Sequence, residues 1–168
     1  AWGLVVSTGP TGSGKTTTLY ACMNRLAGPG NVCVSIENPV EYTLPWVMQT
    51  AVDSRIGLSF ERLTRVALRS DPDVIMVGEI TDPETLRAAQ QATLTGHLVL
   101  TQLHAADAAA ALTRMVDIGG DPFLVAESTR LVLAQRLVRK LCVQCREIGK
   151  PDPERLGVIR ACCIDSQV

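Results

Sequence analysis

Glycines, a lysine and a hydroxyl stand in a fixed order at Gly9-Pro10-Thr11-Gly12-Ser13-Gly14-Lys15-Thr16. The glycines let main-chain N–H groups close around phosphate oxygens, and a helix starting there adds its partial positive charge. The spacing is that of a phosphate-binding loop, G-x-x-x-x-G-K-[ST], and its context fits: the strand-like run Gly3 to Thr8 precedes it and a helical stretch follows. Such a loop binds ATP with magnesium. Lys15 is expected to reach the β- and γ-phosphates, Thr16 to ligate Mg²⁺, and Thr17 to join the nucleotide-binding set in the next helical position.

Phosphoryl transfer also needs acids to hold the ion and order the attacking water. Asp73-Val74-Ile75-Met76-Val77-Gly78-Glu79 supplies one where a buried strand ends. Ligands bind beyond the carboxyl ends of strands in open α/β sheets, so Glu79 is the expected magnesium acid, with Gly78 as a spacer that lets the backbone come close. Glu37 and Glu41 flank the turn Asn38-Pro39 after another strand-like run, Val32 to Ile36. Either could polarise water, and either could be a surface acid.

Two histidines bracket a fourth strand. Spaced by seven residues, His97 and His104 lie ~20 Å apart along an extended chain. His104, at the carboxyl end, is the expected γ-phosphate sensor, whereas His97 reads as a capping or interface residue. Arg62, Arg65 and Arg69 recur at helical spacing and share one face, which is either solvated or offers cations to a neighbouring subunit's nucleotide. Cys22 and Cys33 sit inside apolar runs as small buried hydrophobes. Cys142-Val143-Gln144-Cys145 has zinc-ligand spacing; with the adjacent pair Cys162 and Cys163 it offers three ligands at best to one tetrahedral Zn²⁺, the rival reading being free, reducible thiols.

The elements that must position these groups alternate. Strand-like runs at Gly3 to Thr8, Asn31 to Ile36, Asp73 to Val77 and Leu98 to Gln102 are interleaved with helical segments at Thr16 to Ala27, Phe60 to Arg69 and Pro83 to Ala92. Further helices are expected at Ala105 to Ile118 and Pro122 to Leu141. Strands of continuous Val, Ile and Leu are buried on both faces, as in a mainly parallel sheet with helices on either side, so the fold class is α/β. Residues 41–59 are irregular and are expected to add a short strand or hairpin. From Cys142 the pattern gives way to Pro, Gly and scattered charge, which divides the chain into an ATPase domain at 1–141 and a small cysteine-containing element at 142–168.

Composition sets outer bounds. The chain has 168 residues, 46% hydrophobic and 20% charged, which suits one globular domain with a real core. A net charge of −1 supplies no general attraction to nucleic acid, and no direct nucleic-acid partner is expected. No apolar run approaches the ~20 residues that span a bilayer, so the expectation is a soluble domain. Position 1 is Ala, and the reading expects a longer protein with an N-terminal domain outside this chain.

The ordered set GPTGSGKTTTLY, ENPVEY, LRSDPDVIMVGEI, TGHLVLTQLHAAD and LAQRLVRKLCVQC resembles the type II secretion and type IV pilus assembly ATPases of the secretion ATPase superfamily. The resemblance implies a RecA-like P-loop NTPase core, with Gly9 to Thr16 as the Walker A loop and Glu37 to Glu41 as the Asp box, Glu41 being its catalytic acid. It makes Glu79 the Walker B glutamate and Thr95 to His104 the His box. It further implies a hexameric homo-oligomer in the cytoplasm, peripheral to the inner membrane, that works with a membrane platform and cytoplasmic adaptor proteins. Zinc-type cysteine pairs mark the assembly and secretion branch. This sequence departs from the family in three places: Asn38 replaces an acid, Thr81 stands where arginine is usual, and Gln102, Ala105 and Ala106 replace small polar residues beside His104.

A nucleic-acid translocase or conjugation-type secretion ATPase could use the same loop, but its basic pore stripe is missing from this evenly spread charge. A nucleotide-dependent switch would bind without turnover. A GTPase would need an Asn/Thr-Lys-x-Asp segment, and none occurs.

Overall fold

The structure is a computed structural model, and it describes residues 2–149, 152–154, 156 and 157. Compactness divides the chain into two units, Ala1–Leu137 and Val138–Val168. The first contains all the named strands and helices. The described part of the second is mostly irregular and exposed, with a turn closed by Arg146 N–H donating to the Cys142 carbonyl at 3.0 Å.

The first unit holds a six-stranded sheet in the order β3-β2-β4-β5-β1-β6. The strands are β1 (Gly3–Thr8), β2 (Cys33–Glu37), β3 (Val47–Ala51), β4 (Val74–Val77), β5 (Leu98–Leu103) and β6 (Thr129–Ala134), and every pairing among them is parallel. Each crossover carries the chain back over a face of the sheet, and this accounts for the buried Val, Ile and Leu on both sides of the strands.

Alternation within single strands separates two cores. Ile75 and Val77 of β4 join Leu4, Val6, Val34, Ile36 and Val99 under the helices α2 (Phe60–Ala67), α3 (Pro83–Leu94), α4 (Ala108–Asp117) and α5 (Pro122–Ser128). Val74 and Met76 face the other way, with Cys33 and Leu100, against Leu19, Tyr20 and Met23 of α1 (Lys15–Leu26). Burying one full Leu or Met side chain is worth about 1.5–3 kcal/mol, so these faces carry most of the favourable energy.

Four of the five helices α1 to α5 of the first unit begin on a side-chain cap. Ser59, Asp82, Asp107 and Asp121 each accept a hydrogen bond from a first-turn amide, and Pro83 and Pro122 open their helices where no N–H is needed. Helix α1 differs: its N-cap is Gly14 in the left-handed region, with no side-chain bond and no acid in its first turn.

Two segments depart from the sequence-based expectation. The helix expected over Pro122 to Leu141 stops at Ser128, and residues 129–134 form β6, which pairs in parallel with β1. Leu and Ala favour helix in isolation, but the open edge of β1 gave the backbone of Thr-Arg-Leu-Val-Leu-Ala a ladder of partners, and tertiary pairing overrode propensity. Helix α4 begins at Ala108 rather than Ala105, because Asp107 caps it and Ala105 is held elsewhere. The irregular stretch does add a strand, β3, followed by a single turn of 3-10 helix at Ser54–Ile56.

Candidate functional site

Parallel strands bring their carboxyl ends to one edge of the sheet, and the chemistry-bearing residues follow those ends: Gly9 after β1, Glu79 after β4, His104 after β5 and Gln135 after β6, with Glu37 as the last residue of β2. Neighbouring order in the sheet decides who meets whom. Strand β1 lies between β5 and β6, so the loop Gly9 to Thr16 is flanked by His104 on one side and Gln135 on the other.

The loop is shaped by glycines that cannot be replaced freely. Gly9 has φ 142°, and a Cβ there would lie 2.4 Å from the Gln135 carbonyl oxygen and 2.8 Å from Ser13 Oγ. Gln135 braces the loop further: its Nε2 donates to the Ser13 carbonyl at 2.7 Å, its Oε1 accepts from Ser7 Oγ at 3.3 Å, and its main-chain N–H donates to the Thr8 carbonyl at 3.0 Å.

Lys15 is only 6% exposed. Its Nζ donates to the carbonyls of Gly9 and Pro10, both at 3.0 Å. Burial pushes the ammonium below the usual lysine value, and the Glu79 carboxylate pulls it back up. A cation parked on two loop carbonyls, beside an uncapped helix start, is arranged to accept an anion. The buried hydroxyl of Ser13 in the same loop has no hydrogen-bond partner among the described residues.

Two adjoining clefts open at this edge. The larger, of about 500 Å³, is lined by Thr11, Gly12, Gly14, Lys15, Thr16, Thr17, Glu41, Gln102 and His104, with Leu137 at its rim. The smaller, of about 50 Å³, is bounded by Thr16, Glu37, Glu41, Glu79 and Gln102 among others. The first has the size of a small-molecule site, and the second admits little more than an ion or a few waters. Thr16, Glu41 and Gln102 line both, so the two spaces meet at hard oxygen donors of the kind magnesium prefers.

Glu79 is half-buried, and Gly78 before it allows a close approach: a Cβ at Gly78 would lie 3.1 Å from the Ile36 carbonyl oxygen. Glu41 is exposed to the clefts on the loop after β2. Glu37 is 3% exposed and fully engaged by the fold, accepting from Ser35 Oγ at 2.5 Å, from Gln49 Nε2 at 3.0 Å and from the Tyr20 hydroxyl. Burial and that bond to Glu37 push the Tyr20 phenol up to about 12.

His104 is exposed and stands on the larger cleft. The two alanines after it are held by main chain alone: Ala105 exchanges hydrogen bonds with Thr8 Oγ1, at 3.0 Å as donor and 3.2 Å as acceptor, and the Ala106 carbonyl accepts from Arg136 at 2.8 Å. His97 is at the opposite edge, its Nδ1 within 2.9 Å of the Ala92 carbonyl and 3.0 Å of Thr95 Oγ1, where it closes the end of α3.

Arg62, Arg65 and Arg69 line one surface depression with Gly57 and Ser59. Arg62 donates to the Gly57 carbonyl at 3.2 Å, and Arg65 pairs with Glu61 at 2.7 Å, a surface contact worth little to stability.

Cys33 is buried, which raises its thiol, and Cys22 is half-buried. Cys142 and Cys145 are exposed free thiols. Main-chain N–H groups of Gln144 and Cys145 lower the Cys142 thiol. Cys162 and Cys163 lie outside the described residues, and among the described residues no three His, Cys, Asp or Glu side chains cluster to hold a metal ion. The zinc expectation therefore has no support in this structure. No helix among the described residues is long and apolar enough to cross a membrane.

Sequence reading missed Tyr20, Gln49 and Gln135. Tyr20 closes the motif GPTGSGKTTTLY, but nothing in its spacing points to Glu37, and Gln49 lies outside the motifs. Gln135 lay within a quoted motif but on a stretch read as helix, which would have pointed it away from the phosphate loop.

Comparison with known proteins agrees with this geometry. A sequence profile of the family described as Type II/IV secretion system protein matches residues 1–167. The chain is 56% identical over 144 residues to the type II secretion system protein HxcR of Pseudomonas aeruginosa, a match covering 86% of this chain and 31% of that protein. It is 48% identical over 163 residues to the type IV pilus assembly ATPase PilB of Thermus thermophilus, covering 95% of this chain and 18% of that one. Among solved structures it resembles the pilus retraction motor PilT with bound ADP, at a TM-score of 0.72 and 35% identity, over 82% of this chain and 43% of PilT. The chain thus spans about a third or less of the length of these curated relatives. A parallel RecA-like sheet, a glycine loop facing an uncapped helix and a profile match along nearly the whole chain lead to one assignment, membership of the Type II/IV secretion system protein family.

Proposed function

We propose that this domain is the ATP-hydrolysing motor of a type II secretion or type IV pilus assembly machine. The observation that carries the reading is the meeting of Thr16, Glu41 and Glu79 in a pocket of about 50 Å³, directly against the cleft that contains Lys15 and the loop glycines. A triphosphate chain fits the larger space and its metal ion the smaller.

Lys15 exchanges the carbonyls of Gly9 and Pro10 for the β- and γ-phosphates, while the free amides at the start of α1 donate to phosphate oxygens. Thr16 Oγ1 and the Glu79 carboxylate would hold Mg²⁺, which when bound neutralises charge on the phosphate oxygens. Glu41 orients the attacking water and draws off its proton, and His104, across the cleft, contacts the γ-phosphate end. Side chains from a neighbouring subunit complete the site in a homo-oligomeric ring, six subunits in the fullest form of the proposal. The ring works in the cytoplasm, against an inner-membrane platform and its adaptor proteins. Names of the relatives support this setting, since HxcR and PilB belong to a secretion system and to pilus assembly.

Turnover and binding separate the roles. In the intact protein with magnesium, Glu41→Gln and Glu79→Gln are each expected to keep ATP affinity within about tenfold while lowering phosphate release about 10²–10⁴-fold. Wild-type phosphate release in both variants would remove these acids from the mechanism.

A further inference from the structure

Glu41 sits on a stretch with no regular structure, residues 38–46 between β2 and β3. That stretch is nevertheless pinned at three main-chain points. The Tyr20 hydroxyl accepts from the Glu41 N–H at 3.1 Å, Gln49 Oε1 accepts from the Leu44 N–H at 2.6 Å, and Gln49 Nε2 donates to the Tyr42 carbonyl at 3.1 Å. The Tyr42 ring also packs edge-on against Tyr20 at 4.6 Å between centroids.

Both pinning side chains end on one carboxylate. Tyr20 donates its only proton to Glu37 Oε2, and Gln49 Nε2 donates to Glu37 Oε1, where Ser35 Oγ donates as well. Donor and acceptor chemistry fixes the direction of every bond. A carboxylate can only accept and an amide N–H can only donate, so the tyrosine must give its proton to Glu37 and turn a lone pair toward Glu41. Tyr20 and Glu37 are 1% and 3% exposed, so the bond between them is shielded from bulk water.

We propose that Glu37, Tyr20 and Gln49 form a bracket that positions Glu41 for turnover, with Glu37 acting through Tyr20 and Gln49 instead of on the substrate. The proposal rests on the reading of Glu41 as the residue that orients water. It separates two acids of one motif by function: Glu41 faces the reacting atoms, and Glu37, although it borders the same small pocket, has its oxygens committed to holding the loop.

Tyr20→Phe in the intact protein is the test, because it keeps the ring and removes the one atom that joins Glu37 to Glu41. The expected result is a fall in kcat of about ten- to a hundredfold, as a misplaced catalytic group produces. KM for ATP should stay within about threefold, since the phosphate loop is untouched. The Glu41 amide should lose its protection from hydrogen exchange. Gln49→Leu, at a half-buried position, should give the same split and carries the test should Tyr20→Phe fail to fold. In a Glu41→Gln background, Tyr20→Phe should slow turnover no further. Wild-type kcat in Tyr20→Phe and Gln49→Leu, alongside an inactive Glu41→Gln, overturns the bracket and leaves the site intact. Wild-type turnover in Glu41→Gln overturns the reading of the site, and the bracket with it.

Discussion

Two glycines of the phosphate loop differ in what a single methyl group would meet. At Gly9 a Cβ would run into the Gln135 carbonyl and Ser13 Oγ, whereas at Gly12, with φ 75°, nothing lies within 4 Å. Gly12→Ala should therefore cost only the left-handed backbone strain, about 1 kcal/mol. Gly9→Ala should cost about 1–3 kcal/mol or more and should also weaken ATP binding, because the loop has to shift away from β6. Thermal unfolding and nucleotide titration of the two variants check this; equal losses would mean the Gln135 contact does not shape the loop. Single residues of this kind were the most legible part of the chain. The glycines, Lys15, Thr16, Glu79 and His104 were all named from spacing, and the structure brings them to one edge of the sheet. The roles of Tyr20 and Gln49 were not visible, because their shared partner Glu37 lies 17 and 12 residues away in sequence, and such separations leave no periodic trace.

At the scale of elements, strands β1, β2, β4 and β5 were legible as continuous apolar runs, and helices α1 to α3 by their helical period. Strand β6 was not. It lies at the sheet's edge with only Thr129 and Val132 half-buried, so its pattern of apolar residues does not mark one buried face, and its register is set by β1. What β6 contributes is nonetheless specific, since it ends in Gln135 against the phosphate loop. Gln135→Ala should remove the bonds to the Ser13 carbonyl and to Ser7 Oγ while leaving the main-chain bond to Thr8. The expected cost is about 1 kcal/mol of stability, with an ATP dissociation constant raised about fivefold, measured by calorimetry. An unchanged dissociation constant would show that the loop holds its shape without this brace.

For the whole molecule, the extent of this chain bears on whether the site is complete within it. It spans about a third or less of the curated relatives, and among the described residues the cleft is lined by a single lysine as its full positive charge, beside one histidine. A cation supplied from outside is worth about 10³–10⁵ in rate, or about 4–7 kcal/mol. The isolated domain should accordingly bind ATP but release phosphate slower than the intact assembly by a factor of that order, as a coupled phosphate assay would show. Matching rates would mean that the site is complete within this chain. That the chain belongs to the Type II/IV secretion system protein family was legible in ordered motifs along its length. The apolar periods report burial within one chain, so they carry no signal for partners. All of these roles depend on the proposed seating of a triphosphate in the loop Gly9 to Thr16. A crystal structure with a non-hydrolysable ATP analogue and magnesium tests it most directly. Phosphate oxygens are expected on the amides at the start of α1, with Lys15 Nζ moved off the Gly9 and Pro10 carbonyls to meet them. A triphosphate lodged in another cleft, with Lys15 still bonded to both carbonyls, would contradict it.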